Sequence, residues 1–326
     1  MRNNAIAVGS TSALCTAIYR SLDNYTVHNL IIATDSLTAA FAYLIVGGWT
    51  GVIAGTVFSL VFGRRLIDPA FSGIVINNPE MHKQAFISGG ISAGSTLFIM
   101  LGNQIGDPSA VVALANLTVV YTILNDILTK QATLKQLLIP SLLIVTGGML
   151  AAFNGSLAVT VLGFFYVVVL SNGLDAYSNI VELKGVRASD SVSLFIWRFF
   201  WLAFTGTILA LVVSLSRGYL DLLFQTVRGA IIHLPWVITT MFFVFLGMGL
   251  KLYMKKTQAV SIVLLLTSTQ LFFAYPITIF GSWIQPKMFG DVPSIPMIWL
   301  IRITGSILIV LGIMQLGKRK ILVQEN

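Results

Sequence analysis

The sequence is short of charge. Asp, Glu, Lys and Arg make up only 10% of its 326 residues, while hydrophobic residues make up 56%. A soluble domain carries about 25% charged residues, so this chain cannot clothe itself in a water-compatible surface. That excludes a soluble enzyme. Cysteine is almost missing too: the single Cys15 rules out an intrachain disulfide and any cysteine cluster for a metal. His28, His82 and His233 are scattered and show no paired spacing. There is no P-loop to cradle nucleotide phosphates and no GxGxxG turn after a soluble strand. A pair of acid-rich motifs able to hold a metal pyrophosphate is lacking, and nothing resembles a supported Ser–His–Asp arrangement. No cofactor, no metal and no enzymatic activity are expected.

What the chain does have is apolar runs long enough to cross a bilayer, each bounded by charge, Pro or Gly. The first half gives spans at roughly 4–24, 36–62, 84–104, 109–129 and 134–153. The second half gives 156–180, 191–215, 235–254, 257–281 and 296–316. Strand-like alternation is missing and Gly is plentiful, so the spans read as helices rather than barrel strands. The first span holds Arg20 and Asp23 and runs on into further spans, unlike a cleavable signal peptide.

Basic residues near span ends favour the cytoplasmic side. With the N-terminus inside, the inner side holds Arg2, Arg64, Arg65, Lys83, Lys130, Lys135, Lys184, Arg187, Lys251, Lys255, Lys256, Lys318, Arg319 and Lys320. The outer side holds only Arg20, Arg217, Arg228 and Lys287. Both termini are therefore expected in the cytoplasm. The net charge of +8 then reports topology, and no basic-aromatic interleaving points to nucleic acid.

Two stretches say nearly the same thing. ATDSLTAAFAYLIVGGWTGVIAGTVFSLVF (33–62) and ASDSVSLFIWRFFWLAFTGTILALVVSLSR (188–217) share Asp35/Asp190, Ser36/Ser191, Thr50/Thr205, Gly51/Gly206 and Ser59/Ser214 at an offset of 155. Asn24 falls on Asn179 at the same offset. PSAVVALANLT (108–118) resembles TQAVSIVLLLT (257–267), and SLLIVTGGM (141–149) resembles SILIVLGIM (306–314). Five spans per half is an odd number, so the second copy must enter the membrane from the opposite side, as in many secondary transporters. The expectation is an all-α membrane protein of ten transmembrane helices, built as two inverted five-helix repeats at 1–153 and 154–326. Asp35 and Asp190 should cap the second and seventh helices.

On these residues, and on GDPSAVVALANLTVVYTILNDILTKQATLKQLLIPSLLIVTGGML (106–150) with its counterpart from KKTQAVSIVLLL through Pro276 to Gly305 and Gly312, the chain resembles the EamA-type family of the drug/metabolite transporter superfamily. The resemblance implies ten helices in two inverted repeats and transport of small metabolites. The chain departs from the family pattern at KQAT (130–133), where an acidic residue is common, and in its extended turn at 285–296.

Polar groups inside hydrocarbon are costly and mark candidate sites. On the sixth span Asn172, Asp175 and Asn179 are spaced by three and four, and so share a face. Arg198 enters the seventh span at about 12 Å by helical rise, which makes an Asp175–Arg198 pair plausible, either as a structural lock or as a bond displaced by substrate or proton. Arg20, Asp23 and Asn24 read as an interfacial anchor or an outer gate. Asn116 and Tyr121 on the fourth span meet Thr267 and Gln270 on the ninth in the expected cavity. Tyr253, with Trp197 and Trp201, suits a vestibule or an aromatic belt, and Lys251, Arg198 and Arg302 leave room for a carboxylate or phosphate. The function expected is ATP-independent transport of a small polar or amphiphilic metabolite across a lipid bilayer by alternating access, with a proton or counter-substrate as coupling partner. The alternatives are a nucleotide-sugar carrier of the same superfamily, a non-transporting membrane protein, or a lipid scramblase.

Overall fold

The computed structural model describes residues 2–324 except 32, 129–133, 154, 156, 258–262, 264–265, 286 and 290–291. Among the described residues it is helical, with no strand. The helices are α1 (Arg2–Tyr25), α2 (Ser36–Phe62), α3 (Pro79–Asn103), α4 (Pro108–Ala115), α5 (Thr118–Leu128), α6 (Leu134–Ala151), α7 (Leu157–Phe164), α8 (Gly173–Ala188), α9 (Ser191–Ser216), α10 (Leu220–Ile231), α11 (Leu234–Thr257), α12 (Gln270–Ile284) and α13 (Pro296–Gln324). A π-helical stretch, Phe165–Asn172, joins α7 to α8.

Seven of the helical segments are long and apolar enough to cross a membrane. Their outward faces carry large apolar side chains in the open, among them Ile53 at 67%, Leu60 at 61% and Val212 at 60% exposure. Water would penalise such a surface and lipid does not. The protein is an integral, multi-pass membrane protein.

Local sequence explains where helices start. Asp35 takes the Thr38 amide and Asp190 the Ser193 amide, so each Asp-Ser pair opens its helix. Such a cap is worth about 1 kcal/mol. Asp107 does the same for α4. Between α9 and α11, the short helix α10 buries Leu223, Thr226 and Ala230 but leaves Phe224 exposed.

Small residues set the closest approaches, as membrane helix pairs require. A β-carbon on Gly48 would lie 3.1 Å from Ala203 Cα, one on Gly51 would strike Phe199, and one on Gly206 would strike Leu44, so α2 and α9 pack along this seam. On α6 and α13, Gly147 lies against the Gly305 carbonyl and Gly312 against the Pro140 carbonyl. α1 packs on α11 and α12, and α3 on α8 and α9. A line of serines joins α3 to the sixth span: Ser95 to Ser171 at 2.9 Å and Ser92 to Ser178 at 3.0 Å.

Candidate functional site

Two adjoining cavities occupy the middle of the bundle. The larger, about 330 Å³, is walled by α1, α4, α5, α8, α11, α12, α13 and the residues just before α12. It reaches Asn125, Leu183 and Lys255, near the end of the bundle where α5, α8 and α11 finish. The smaller, about 110 Å³, lies between α1, α2, α3, α8, α9 and α11. Tyr19, Arg20, Asp175 and Met248 belong to both walls. The opposite end of the bundle is stitched shut. Asn24 Nδ2 donates to the Asn103 and Gly106 carbonyls at 3.0 and 2.8 Å, and Asn29 Nδ2 donates to the Met288 carbonyl at 2.8 Å. Arg217 clasps Asp35 through two nitrogens, at 2.9 and 3.1 Å.

The larger cavity is crossed where two helices are interrupted. α4 ends at Ala115 and α5 begins at Thr118, with a tight turn between. There Asn116 Nδ2 turns back to the Val112 carbonyl at 2.8 Å and the Leu117 amide bonds the Leu114 carbonyl at 3.0 Å. On the facing side the helical turn is broken at Thr269, and Gln270 opens α12. Gln270 Nε2 donates to Asn116 Oδ1 at 3.1 Å. One bond therefore joins the two breaks across the cavity wall.

A buried charge network lies beside it. Glu182 on α8 meets Arg198 Nε on α9 at 2.6 Å and Lys255 Nζ on α11 at 2.5 Å, with all three side chains at 8% exposure or less. Arg198 also donates to Ser92 Oγ at 2.7 Å, and Lys255 to Asn179 Oδ1 at 2.5 Å. The expected Asp175–Arg198 pair is corrected here. Asp175 accepts from Asn179 Nδ2 at 3.0 Å, and Arg198 belongs to Glu182. The reason is length: the sixth span was expected to stop at 180, whereas α8 runs to Ala188. Glu182 is then about 9 Å from the end of α8, and Arg198 about 10 Å from the start of α9, so the two are level. Asp175 lies about 10 Å deeper than Glu182. The signal was in the sequence, since Glu182 continues the Asn172, Asp175, Asn179 spacing by three.

The expected site residues divide. Asn116, Thr267, Gln270 and Asp175 line the larger cavity, and Asp175 and Arg198 the smaller. Tyr121, Asn172 and Tyr253 are in neither wall. Tyr121 and Asn172 instead tie the fourth and sixth spans together: the Tyr121 hydroxyl donates to the Val168 carbonyl and Asn172 Nδ2 to the Leu114 carbonyl, each at 2.8 Å. Arg302 is unavailable to any solute. It is fully buried, grips Asp107 at 2.8 and 3.0 Å, and gives its Nε to the Phe153 carbonyl at 2.6 Å. Trp197 donates to the Val75 carbonyl at 2.9 Å and forms an aromatic row with Phe200, Trp201 and Phe204 outside both cavities. Arg20, expected as an anchor or gate, faces the cavities, while Asp23 one turn on is held by the Tyr43 hydroxyl.

No model of a known protein family matches the chain, and no curated protein matches it. The site must be read from its own geometry. Among the described residues no group of three or more His, Cys, Asp or Glu side chains could hold a metal ion.

Outside the spans, two carboxylates have pKa values lowered by their partners. Arg217's hydrogen bond holds Asp35 below the usual carboxylate range. Burial pushes Asp68 up, but the Ser191 and Ala70 amides, Lys256 and the Ser191 hydroxyl outweigh it, leaving Asp68 lowered.

Proposed function

We propose that the protein is a secondary transporter that moves a small polar or amphiphilic metabolite across the membrane by alternating access. The observation that carries this reading is the central pair of cavities, walled by helices from both halves of the chain and crossed by the Asn116–Gln270 bond at two helix breaks. Interrupted helices that meet at mid-bundle are where secondary transporters place their substrates.

Ten spans in two inverted five-helix repeats suit the packing. An offset of 155 turns Leu44 into Phe199 and Gly51 into Gly206, and the contact Gly51–Phe199 is matched by Gly206–Leu44. The residue pair Gly48 and Ala203, itself separated by 155, meets directly. An offset of 165 turns Pro140 into Gly305 and Gly147 into Gly312, and the contact Gly147–Gly305 is matched by Gly312–Pro140. A two-fold axis between repeats requires this exchange, and helices unrelated by symmetry have no reason to obey it. The pattern supports membership of the drug/metabolite transporter superfamily, EamA type. With both termini cytoplasmic, the larger cavity faces the cytoplasm and the stitched end faces outward. That is an inward-facing state.

The test is flux of labelled metabolites into liposomes containing purified protein. Asn116→Ala and Gln270→Ala should each slow uptake while leaving expression and thermal stability near wild type. Normal uptake by both variants would remove these amides from the translocation path.

A further inference from the structure

We propose that the solute is an organic anion, carrying a carboxylate or a phosphate, and that Arg20 and Lys251 hold its acid group. This inference rests on the transporter reading only for what becomes of the solute. The binding site itself stands on the charges in the wall.

The two cavities expose four cations, Arg20, Arg198, Lys251 and Lys255, against two carboxylates, Asp23 and Asp175. Glu182, just behind the wall, serves both Arg198 and Lys255, so four positive charges face three negative ones. The excess is concentrated. Arg198 and Lys255 are occupied by Glu182, and Asp23 by Tyr43. Arg20 and Lys251 make no hydrogen bond or ion pair with any described residue. The guanidinium of Arg20 lies 5.8 Å from the ring of Tyr19 with its Nε buried and unbonded, and it feels the charge of Asp23 without bonding it, as Lys251 feels that of Glu182.

The two free cations are brought together by close packing. Ser12 Oγ donates to the Gly247 carbonyl at 2.7 Å, and a β-carbon on Gly247 would lie 3.1 Å from Thr16 Oγ1. α1 and α11 therefore cross at Thr16 and Gly247. Arg20 lies one turn beyond that crossing on α1, and Lys251 one turn beyond it in the other direction on α11. Their backbones are about 12 Å apart along the axis, and long side chains from both can converge on one group between them. Asp175 is the one anion in the larger wall. It opposes a second negative charge on the solute body, which favours a single acid group. The remaining wall is apolar, hydroxyl or amide, from Val119, Ile180 and Met248 to Thr118, Asn116 and Gln270, and suits an uncharged body. Two cations left unpaired inside a membrane bundle are expensive, and an oxyanion offsets that cost with charge-assisted hydrogen bonds.

The test uses the full chain in detergent and in liposomes. Thermal unfolding is followed by tryptophan fluorescence across a millimolar series of lactate against lactamide, glycerol 3-phosphate against glycerol, and choline. At least one anion should raise the unfolding temperature saturably, while its neutral isostere and choline do not. The arm that responds says whether the acid is a carboxylate or a phosphate. Arg20→Gln and Lys251→Gln should each weaken the apparent affinity about tenfold or more, the loss expected for a charged hydrogen bond, and Arg20→Lys and Lys251→Arg should keep most of it. Equal stabilisation by the neutral isosteres, a preference for choline, or no saturable shift from either anion overturns the proposal. The isostere comparison needs no variant, so misfolding of a mutant leaves it decisive. Anion binding without flux in liposomes would sink the transporter reading and leave the anion site standing. Uptake of glycerol unchanged by Arg20→Gln and Lys251→Gln would do the reverse.

Discussion

Glu182→Gln is the substitution that most sharply separates the structure from its alternatives. Glu182 is the only carboxylate among the described residues in contact with Arg198 and Lys255, at 2.6 and 2.5 Å, and it is 5% exposed. Removing its charge strands two buried cations. Breaking a buried pair costs about 3–5 kcal/mol. The loss should not double, because Arg198 keeps Ser92 and Lys255 keeps Asn179. At about 2–4 °C per kcal/mol, the unfolding midpoint should fall by roughly 6–20 °C. Cys15 is the one cysteine and is buried, so a thiol-reactive fluorophore reports unfolding without engineering. Asp175→Asn should change the midpoint little, since among the described residues Asn179 is the side chain hydrogen-bonded to Asp175, which opens on the cavity. Adding Lys255→Gln to Glu182→Gln should recover part of the loss by removing one stranded cation, a coupling that a double-mutant cycle measures. If Asp175→Asn is the more damaging single change, Arg198 belongs to Asp175 and the network described here is wrong.

Three further predictions concern a helix cap, a close contact and the sidedness of the termini. Asp35→Ala should cost about 1 kcal/mol by uncapping α2; because Arg217 lowers the folded pKa of Asp35, the stabilisation is complete above its unfolded value of about 3.9 and is lost as pH falls through the lower folded one, and Arg217→Gln should shrink that acid-side loss in a pH series of melts. Gly305→Ala should destabilise by about 1–3 kcal/mol, since the new β-carbon would meet the Ala151 amide nitrogen and the Gly147 carbonyl at 2.4 and 2.5 Å, whereas Gly229→Ala, with open space around it in α10, should be neutral or slightly stabilising. Tags placed before Met1 and after Asn326 should both be protected in intact cells while a cysteine placed near Lys287 reacts with an impermeant reagent, and an externally accessible C-terminal tag would remove the inverted-repeat proposal.

The helical class and the helix starts were legible because they depend on short-range rules. Apolar runs of bilayer length need internally satisfied backbones, and Asp-Ser before such a run is a cap wherever it occurs; Asp35 and Asp190 both behave so. The offset of 155 is visible in the sequence as matched residues such as Gly51 and Gly206, and these, with Gly48, lie where α2 and α9 pack closely. Side-chain partners were harder to read. A sixth span that ends at 180 leaves Glu182 in a loop and offers Arg198 only Asp175 as a partner. Charge normally marks the end of a membrane helix, but here the helix continues because Lys255 arrives from α11 to neutralise it. Tyr121 and Asn172 are a different case. Both are polar, both sit at cavity depth, and both turn away to cap carbonyls around the helix break and the π-helical stretch.

The break at Asn116 shows where sequence and structure divide the work. The amide was picked out by its depth alone, opposite Gln270 on an antiparallel helix. Nothing in ALANLTVV announces an interruption, because Asn and Leu are both tolerated inside helices. The interruption arises from what surrounds it. The Leu114 carbonyl is claimed by Asn172, the Val112 carbonyl by Asn116 itself and the Ala115 carbonyl by Thr118, so the backbone near the turn is satisfied by side chains. A helix whose carbonyls have such substitutes can bend or straighten there at small cost, and Gln270 ties that turn to the matching one across the cavity. The alternating access proposed above would need a place where the two halves can change their relative tilt without stranding backbone groups in hydrocarbon. This pair of breaks would supply one, at the wall that a bound solute would touch.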